Sequence, residues 1–254
     1  MELKKLHEDV FYFTGVIPEV DKLVQAIEDT ENDLNITKVI PNWDSWEACS
    51  GQMYVYGSKK NLNLENLESN VTDEKSKESV KYIVNSITKA MTDVCEAYAK
   101  EKGITEEVNL APYIGINKYQ EGTFMGTHFD QQEGDTRLYL SLVLYFNDNY
   151  EGGEISFSIR DWVLTSTDFS AREDVHAPEN EALIDFWLKP EPGSCLIFPS
   201  SMPFSHTAHL VKSGSKYMSP GFWLSGAPQG DTLKFVYWWK KYFLLQKLIT
   251  LKIL

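Results

Sequence analysis

Two segments in the first hundred residues place apolar side chains at the spacing of one helix face. In residues 18–29, which begin at Pro18, these side chains are Val20, Leu23, Val24 and Ile27. In residues 76–101 they are Val80, Val84, Ile87, Met91, Cys95 and Tyr98, and Gly103 follows where a left-handed residue would end the helix. The pattern predicts two amphipathic helices, whereas the polar stretch 58–79 is predicted as a loop or a weakly ordered segment.

Beyond Gly103 the pattern changes to short segments rich in β-branched and aromatic residues. Turn sequences such as "NDNYEGG" and "KPEPGS" separate them. The predicted strands are 112–119, 137–147, 153–159, 182–188, 194–198, 205–211 and 216–224. Helices followed by strands of this kind indicate a mostly β protein with flanking helices, that is, a double-stranded β-helix (jelly-roll) core supported by N-terminal helices.

We therefore expect one domain with three parts. Residues 1–104 are a helical and irregular support region, 105–226 are the jelly-roll core, and 227–254 are a C-terminal helical tail. From Lys234 to Leu254 the tail carries five lysines and no acidic residue, and packing on the body is favoured over contact with a membrane surface.

Composition and charge narrow the possible partners and location. The 254 residues carry a net charge of −13, which disfavours a nucleic-acid partner. There is no apolar run of signal-peptide or membrane-spanning length, so we expect a cytoplasmic protein. Cys49, Cys95 and Cys195 lack CxxC spacing, which suits reduced thiols. Nothing in the sequence predicts the oligomeric state.

The sequence "GTHFDQQEGDTRL" places His128 and Asp130 two residues apart. Side chains at this spacing on a strand share a face, so the pair could offer an imidazole and a carboxylate to one metal ion. Alone, the pair is more simply interpreted as a solvated turn. Downstream, His206 and His209 each offer a third ligand. Two His and one carboxylate leave three octahedral positions open, as non-haem Fe(II) oxygenases require, and no HExxH sequence supports a zinc hydrolase.

The order of these residues resembles the Fe(II)/2-oxoglutarate dioxygenases, most closely their prolyl 4-hydroxylase branch. In that branch the last strands carry His, then Val at +5, Gly at +8 and Lys or Arg at +10. His206 is followed by Val211, Gly214 and Lys216, which fits each offset, whereas His209 stands only seven residues before Lys216. "NKYQEGTFMGTHFD" and "LSLVLYFNDNYEGGEISF" are also similar to strands of the family, so the resemblance covers about residues 112–224.

The resemblance implies a site for Fe(II), 2-oxoglutarate and O2, with ascorbate supporting activity. His128, Asp130 and His206 would hold the iron, and His209 would be a neighbour. Lys216 would bind the distal carboxylate of 2-oxoglutarate, and Tyr119 and Tyr145 would offer phenolic hydroxyls. Strand alternation puts Ser141 on the face of Tyr145, which makes it a further cosubstrate residue. For the two tyrosines, packing in a sheet is the plain alternative.

Two regions are candidates for substrate contacts. One is the insert of about 30 residues between "GGEISF" and "KPEPGS", which contains Trp162, Phe169, Arg172 and Trp187. The other is "NWDSWEAC", where Trp43 and Trp46 could form an aromatic platform for a proline ring, although core packing explains these tryptophans equally well.

The function that follows from the resemblance is peptidyl-proline 4-hydroxylation with release of succinate and CO2. A proline-containing polypeptide would be the partner. One alternative is the same mechanism acting on a small molecule or a free amino acid. A second is a jelly-roll binding protein without catalysis. The first hundred residues carry no motif that distinguishes these functions.

Overall fold

The computed structural model describes residues 1–39, 55–57, 59–105, 109–111, 115–131, 138–159 and 184–224. The helices in these ranges are α1 (Val20–Asn32), α2 (Leu34–Thr37), α3 (Leu64–Asn70) and α4 (Glu74–Lys102). The strands are β1 (Glu2–Lys5), β2 (Phe11–Thr14), β3 (Val55–Tyr56), β4 (Lys59–Asn63), β5 (Gly115–Gln120), β6 (Phe124–His128), β7 (Leu138–Tyr145), β8 (Tyr150–Gly152), β9 (Ile155–Ser158), β10 (Phe186–Leu188), β11 (Ser194–Pro199), β12 (Ser205–Ala208) and β13 (Val211–Leu224). The predicted C-terminal tail lies outside the described residues.

The strands form two sheets. The larger has the order β1-β2-β11-β7-β13-β5-β4, with β8 paired to β13, and the smaller has the order β10-β9-β12-β6-β3. Every pairing between these strands is antiparallel. Apart from consecutive pairs such as β1–β2 and β9–β10, most neighbours in both sheets are not consecutive in sequence, as expected of a jelly roll. This confirms the predicted fold class.

The larger sheet is buried on both faces. From β7, Leu140, Leu142 and Leu144 pack with α1, α3 and α4 in one core cluster. Val143 and Tyr145 alternate with them and pack in a second cluster with Phe157 of the smaller sheet. Strand alternation therefore separates a core that supports the helices from a core between the sheets, and it is the second that surrounds the candidate site.

Helix α4 is the main support of the larger sheet. The side chain of Asp73 accepts a hydrogen bond from the Ser76 backbone N–H at 3.0 Å, which caps the first turn. Gly103 ends the helix in the left-handed conformation, with φ of 66°. The predicted apolar stripe is confirmed, because Val80, Ile87, Met91, Cys95 and Tyr98 are all buried and Val84 packs against them. The helix predicted at 18–29 is likewise confirmed as α1.

The prediction of a loop at 58–79 is wrong. This stretch contains β4, α3 and the first turns of α4, and β4 forms the edge of the larger sheet beside β5. β1 and β2 add two more strands to that sheet from the N-terminal region. Helical periodicity reveals none of these strands, because each is short. β2 and β4 also take their stability from pairing with strands far away in the sequence.

The structure bears on the predictions for the cysteines and for membrane-spanning helices. Cys95 and Cys195 are free thiols and are buried, in agreement with the expectation of reduced cysteines, and Cys49 lies outside the described residues. Among the described helices, none has the length and apolar character needed to cross a membrane. The cytoplasmic location stays a prediction.

Candidate metal and cosubstrate site

Two histidines from adjacent strands and one aspartate meet between the sheets. His128 ends β6 and is directly opposite His206 of β12, and their ring centroids are 4.3 Å apart. Asp130 follows β6 and faces both rings, with its carboxylate oxygens 3.7 Å from His128 Nε2 and 3.8 Å from His206 Nε2. The three side chains are mostly shielded from solvent, at 8%, 18% and 6% exposed for His128, Asp130 and His206.

The backbone sets which ring nitrogens face the aspartate. His128 Nδ1 lies 2.7 Å from the Gly126 carbonyl, and His206 Nδ1 lies 3.2 Å from the Phe204 carbonyl. Because a carbonyl oxygen only accepts, both Nδ1 atoms carry the hydrogen and both Nε2 atoms are left for a metal. Burial, together with the nearby His206 ring, lowers the pKa of His128 well below its usual value. His128 is thus held as the neutral imidazole that metal binding requires.

The three donor groups fit a divalent transition metal. Their ligand atoms all lie within 4.8 Å of one another. The two distances from Asp130 to the histidines are shorter than twice a metal–ligand bond of about 2.1 Å, so one ion can contact all three groups after small side-chain movements. Two imidazoles and a carboxylate on one side of an ion are the donor set of the non-haem iron site.

A buried lysine lies on the larger sheet, in a cage of aromatic rings. Lys216 of β13 is 2% exposed, and its Nζ donates a hydrogen bond of 2.6 Å to the Gly153 carbonyl. The same Nζ is 5.1 Å from the ring centroid of Tyr145, 5.7 Å from that of Tyr119 and 6.0 Å from that of Tyr150. The ring faces favour a cation by their quadrupoles while keeping water out.

Burial changes the proton affinity of these groups. Desolvation, with a contribution from Lys189, lowers the pKa of Lys216 to about 7. Desolvation also raises the pKa of Tyr119 and of Tyr145, so both stay neutral phenols that can donate a hydrogen bond. An anion entering the cage would favour the charged form of the lysine.

The Gly-Gly turn brings the backbone onto this lysine. Gly152 and Gly153 have φ of 69° and 66°, in the region that side chains disfavour. A Cβ on Gly153 would lie 2.7 Å from the Tyr150 ring and 3.3 Å from Lys216 Cδ. Glycine at this position therefore allows the Gly153 carbonyl, Tyr150 and Lys216 to pack in contact.

Ser141 lies on the same face of β7 as Tyr145. It is buried, and its hydroxyl forms a hydrogen bond of 2.8 Å with the Ser200 hydroxyl. Ser141 of β7 is opposite Phe198 of β11, and Ser200 follows the last residue of β11. The hydroxyl pair forms a polar point in the lining between the sheets.

His209 stands apart from the cluster. Its Nε2 is 2.6 Å from the Ser156 hydroxyl, and its ring centroid is 4.2 Å from that of Trp187, with the two planes tilted by 30°. Trp187 is 44% exposed. Among the candidate substrate residues, Trp43, Trp46, Trp162, Phe169 and Arg172 lie outside the described residues.

Two residues of this region were missed by the sequence interpretation. Lys59 falls in the stretch predicted as a loop, and Tyr150 falls in a stretch interpreted only as a turn. Lys59 is 3% exposed and is opposite Tyr119, and Tyr150 is 6% exposed beside Lys216. No sequence spacing identifies either residue as part of the site, because strand pairing alone brings each of them there.

The chain is similar to a known domain family over residues 114–224, where it matches the model of the 2OG-Fe(II) oxygenase superfamily. Members of this family use Fe(II), 2-oxoglutarate and O2. No curated protein matches the chain.

The fold is similar to that of solved prolyl hydroxylases. A prolyl-4-hydroxylase from Pseudomonas putida is 14% identical, with a TM-score of 0.52, and the match covers 86% of this chain and 94% of that one. A Trichoplax adhaerens prolyl hydroxylase, solved with a peptide fragment of the hypoxia inducible factor oxygen degradation domain, is 12% identical with a TM-score of 0.51 over 85% and 83% of the two chains. A 2OG-Fe(II) oxygenase family oxidoreductase from Burkholderia pseudomallei is 11% identical with a TM-score of 0.50, over 85% of each chain.

These structural matches show the fold. Residues 114–224 match the 2OG-Fe(II) oxygenase superfamily, and the chain has a fold similar to that of solved prolyl hydroxylases.

Proposed function

We propose that this chain is an Fe(II)- and 2-oxoglutarate-dependent dioxygenase that acts as a peptidyl-proline 4-hydroxylase. The reaction consumes a C–H bond of a prolyl ring, 2-oxoglutarate and O2, and yields the C–OH product, succinate and CO2. The observation that carries the proposal is the combination of the His128–Asp130–His206 cluster with Lys216, buried in its aromatic cage. The His206-to-Lys216 spacing of the prolyl hydroxylase branch and the fold shared with solved prolyl hydroxylases support the proline substrate.

Each residue has a role in this proposal. His128, Asp130 and His206 would hold Fe(II), which supplies O2 activation coupled to decarboxylation of 2-oxoglutarate. Lys216 would donate from its ammonium group to the distal carboxylate, as a compact charge inside a dry cage. The phenols of Tyr119 and Tyr145, and the Ser141 hydroxyl, would complete the hydrogen bonds to the cosubstrate.

The protein's own contribution is positioning and exclusion of water. The Nδ1 hydrogen bonds fix both imidazole tautomers before any metal arrives. The aromatic rings around Lys216 keep water from competing with the carboxylate. Trp43, Trp162 and Arg172 stay predicted substrate contacts. A proline-containing polypeptide and a supporting role of ascorbate stay part of the proposal.

The test is mass spectrometry of proline-containing peptides incubated with the full chain, Fe(II), 2-oxoglutarate, ascorbate and air. Fragmentation that locates an added oxygen on a proline ring is the expected result. The matched control is His128→Ala, which should release no substrate-dependent succinate. Succinate release without any modified peptide would support dioxygenase activity, and it would indicate that the substrate is a small molecule or a free amino acid instead of a peptide. Full activity of His128→Ala would overturn the assigned site.

A further inference from the structure

Three side chains form a row across the inner face of the larger sheet. Lys59 of β4 is directly opposite Tyr119 of β5, which is directly opposite Lys216 of β13. Cross-strand partners point to the same face of a sheet, so all three point toward the smaller sheet. The ammonium groups of Lys59 and Lys216 are 5.6 and 5.7 Å from the Tyr119 ring centroid. One phenol ring is thus flanked by two buried lysines, at 3% and 2% exposed.

The two lysines differ in their structural neighbours. Lys59 begins β4 shortly after β3, and β3 pairs with β6, the strand that ends in His128. Lys216 donates a hydrogen bond to the Gly153 carbonyl. Lys59 is therefore at the end of the row that is nearer the strand of the metal ligands, and Lys216 is at the end that faces the Gly-Gly turn.

Strand β4 is held in this position by a chain of polar contacts on the same inner face. Asn61 Nδ2 donates to Asn117 Oδ1 at 2.7 Å, and Asn117 Nδ2 is 3.3 Å from Met218 Sδ. Asn61 is two residues from Lys59, so both are on one face of β4. The contacts attach the inner face of this edge strand to β5 and β13, and they fix where the Lys59 stem begins.

2-Oxoglutarate is a dianion with a carboxylate at each end. Lys216 accounts for the carboxylate that is distant from the metal. We propose that Lys59 is a further cosubstrate-binding residue, which donates to the metal-side carboxylate of 2-oxoglutarate, so that the two lysines flanking Tyr119 bind the two ends of one dicarboxylate. This inference rests on the proposed use of Lys216 and of the His–Asp–His cluster. It makes Lys59 a specificity determinant, because a monocarboxylate can accept a hydrogen bond from only one of the two ammonium groups.

The proposal predicts opposite effects on metal and on cosubstrate. An ammonium group near the cluster repels a divalent cation, so Lys59→Met should bind Mn(II) at least as tightly as the unaltered chain in the absence of 2-oxoglutarate. The same variant should bind 2-oxoglutarate about tenfold more weakly or worse, since a charge-assisted hydrogen bond is lost. A residue that only supported the fold would not strengthen one and weaken the other.

The experiment uses the full Mn(II)-loaded chain and calorimetric titration, with Lys60→Met as the matched control. Lys60 is the next residue of β4 and points to the opposite face, where its partner is Lys118. Two monocarboxylates separate the ends of the site: 2-oxopentanoate lacks the distal carboxylate, and 4-oxopentanoate lacks the metal-side one. Lys59→Met should weaken binding of 2-oxopentanoate and leave 4-oxopentanoate unchanged. Lys216→Met should show the reverse pattern.

Several results would overturn the inference. One is a dissociation constant for 2-oxoglutarate in Lys59→Met that stays within about twofold of the Lys60→Met value. Equal weakening of both monocarboxylates is another, because it would indicate a distorted pocket. If only the KM of the peptide rises, the Lys59 charge serves the primary substrate instead. Thermal melts, repeated with Lys59→Gln, verify that each variant is folded. Failure of the unaltered chain to bind 2-oxoglutarate at all is a distinct result, which removes the proposed function together with this inference.

Discussion

His128 and His206 are cross-strand partners, and each donates its Nδ1 hydrogen to the carbonyl of the residue two positions earlier in the chain. The same local hydrogen bond therefore occurs twice, on two strands that are adjacent only in the folded sheet. It turns both Nε2 atoms toward Asp130. The backbone of the smaller sheet thus sets both tautomers, so that Nε2 is the nitrogen that a metal could bind.

Replacing His206 and His209 one at a time distinguishes the proposed metal ligand from a residue with a structural role. His206→Ala should weaken Mn(II) or Fe(II) binding by more than about a hundredfold, because losing a ligand costs more than losing one of its outer hydrogen bonds. His209→Ala should retain the metal, since His209 contacts Ser156 and Trp187 instead. Metal titration by tryptophan fluorescence measures both. Equal metal affinity in the two variants would contradict the assignment of His206.

The buried charge of Lys216 should cost stability in the ligand-free protein. Its pKa is lowered to about 7 from 10.5, so between these pH values the unfolded chain binds more protons than the folded one. The contribution of this group to the free energy of unfolding therefore rises with pH from about 7 to about 10.5, and the full penalty applies below 7. Lys216→Met should stabilise the ligand-free chain, by roughly 1 kcal/mol or more at pH 6.5.

Urea denaturation of Lys216→Met at pH 6.5 and at pH 9 checks this prediction. The stabilisation relative to the unaltered chain should shrink at the higher pH, and binding of 2-oxoglutarate should be lost at both. A variant that is less stable at pH 6.5 would show that packing of the lysine stem outweighs the charge.

Tyr150 carries a buried hydroxyl without a hydrogen-bond partner among the described residues. Tyr150→Phe should raise the free energy of unfolding by about 1 kcal/mol, because it removes an unsatisfied polar group and keeps the ring beside Lys216 and Lys189. Tyr12→Phe is the matched control. The Tyr12 hydroxyl accepts a hydrogen bond of 2.8 Å from the Glu191 N–H, so its removal should cost about 1 kcal/mol. Chemical denaturation of the two variants should give changes of opposite sign.

Two glycines with left-handed backbone conformation allow the cost of backbone strain to be distinguished from the cost of a steric clash. Gly103 has φ of 66° and open space where a Cβ would be, so Gly103→Ala should cost about 1 kcal/mol from the backbone conformation alone. Gly152 has φ of 69°, and a Cβ there would collide with the Leu210 carbonyl. Gly152→Ala should therefore lower the melting temperature further than Gly103→Ala. Similar melting temperatures would mean that the Gly152 turn relaxes without cost.

Local pattern determined helices α1 and α4 and much of the candidate site from the sequence, whereas it did not predict α2 and α3. The stripe that includes Val80 and Met91 gave α4 because helical neighbours are three and four residues apart, so the signal is complete within one segment. The offsets from His206 to Lys216 are likewise local, since β12 and β13 are connected by a short turn. These offsets selected His206, and it is His206 that lies with His128 and Asp130 in the structure.

The tertiary structure decided what depends on pairing between distant segments. Lys59 and Tyr119 are 60 residues apart in sequence and become neighbours only when β4 joins the edge of the larger sheet. β2 is a strand for the same reason, because this short segment is buried and pairs with β11, far away in the sequence. The sequence therefore determined which side chains could do the chemistry, whereas strand register decided which of them meet, because register joins residues whose separation no local periodicity records.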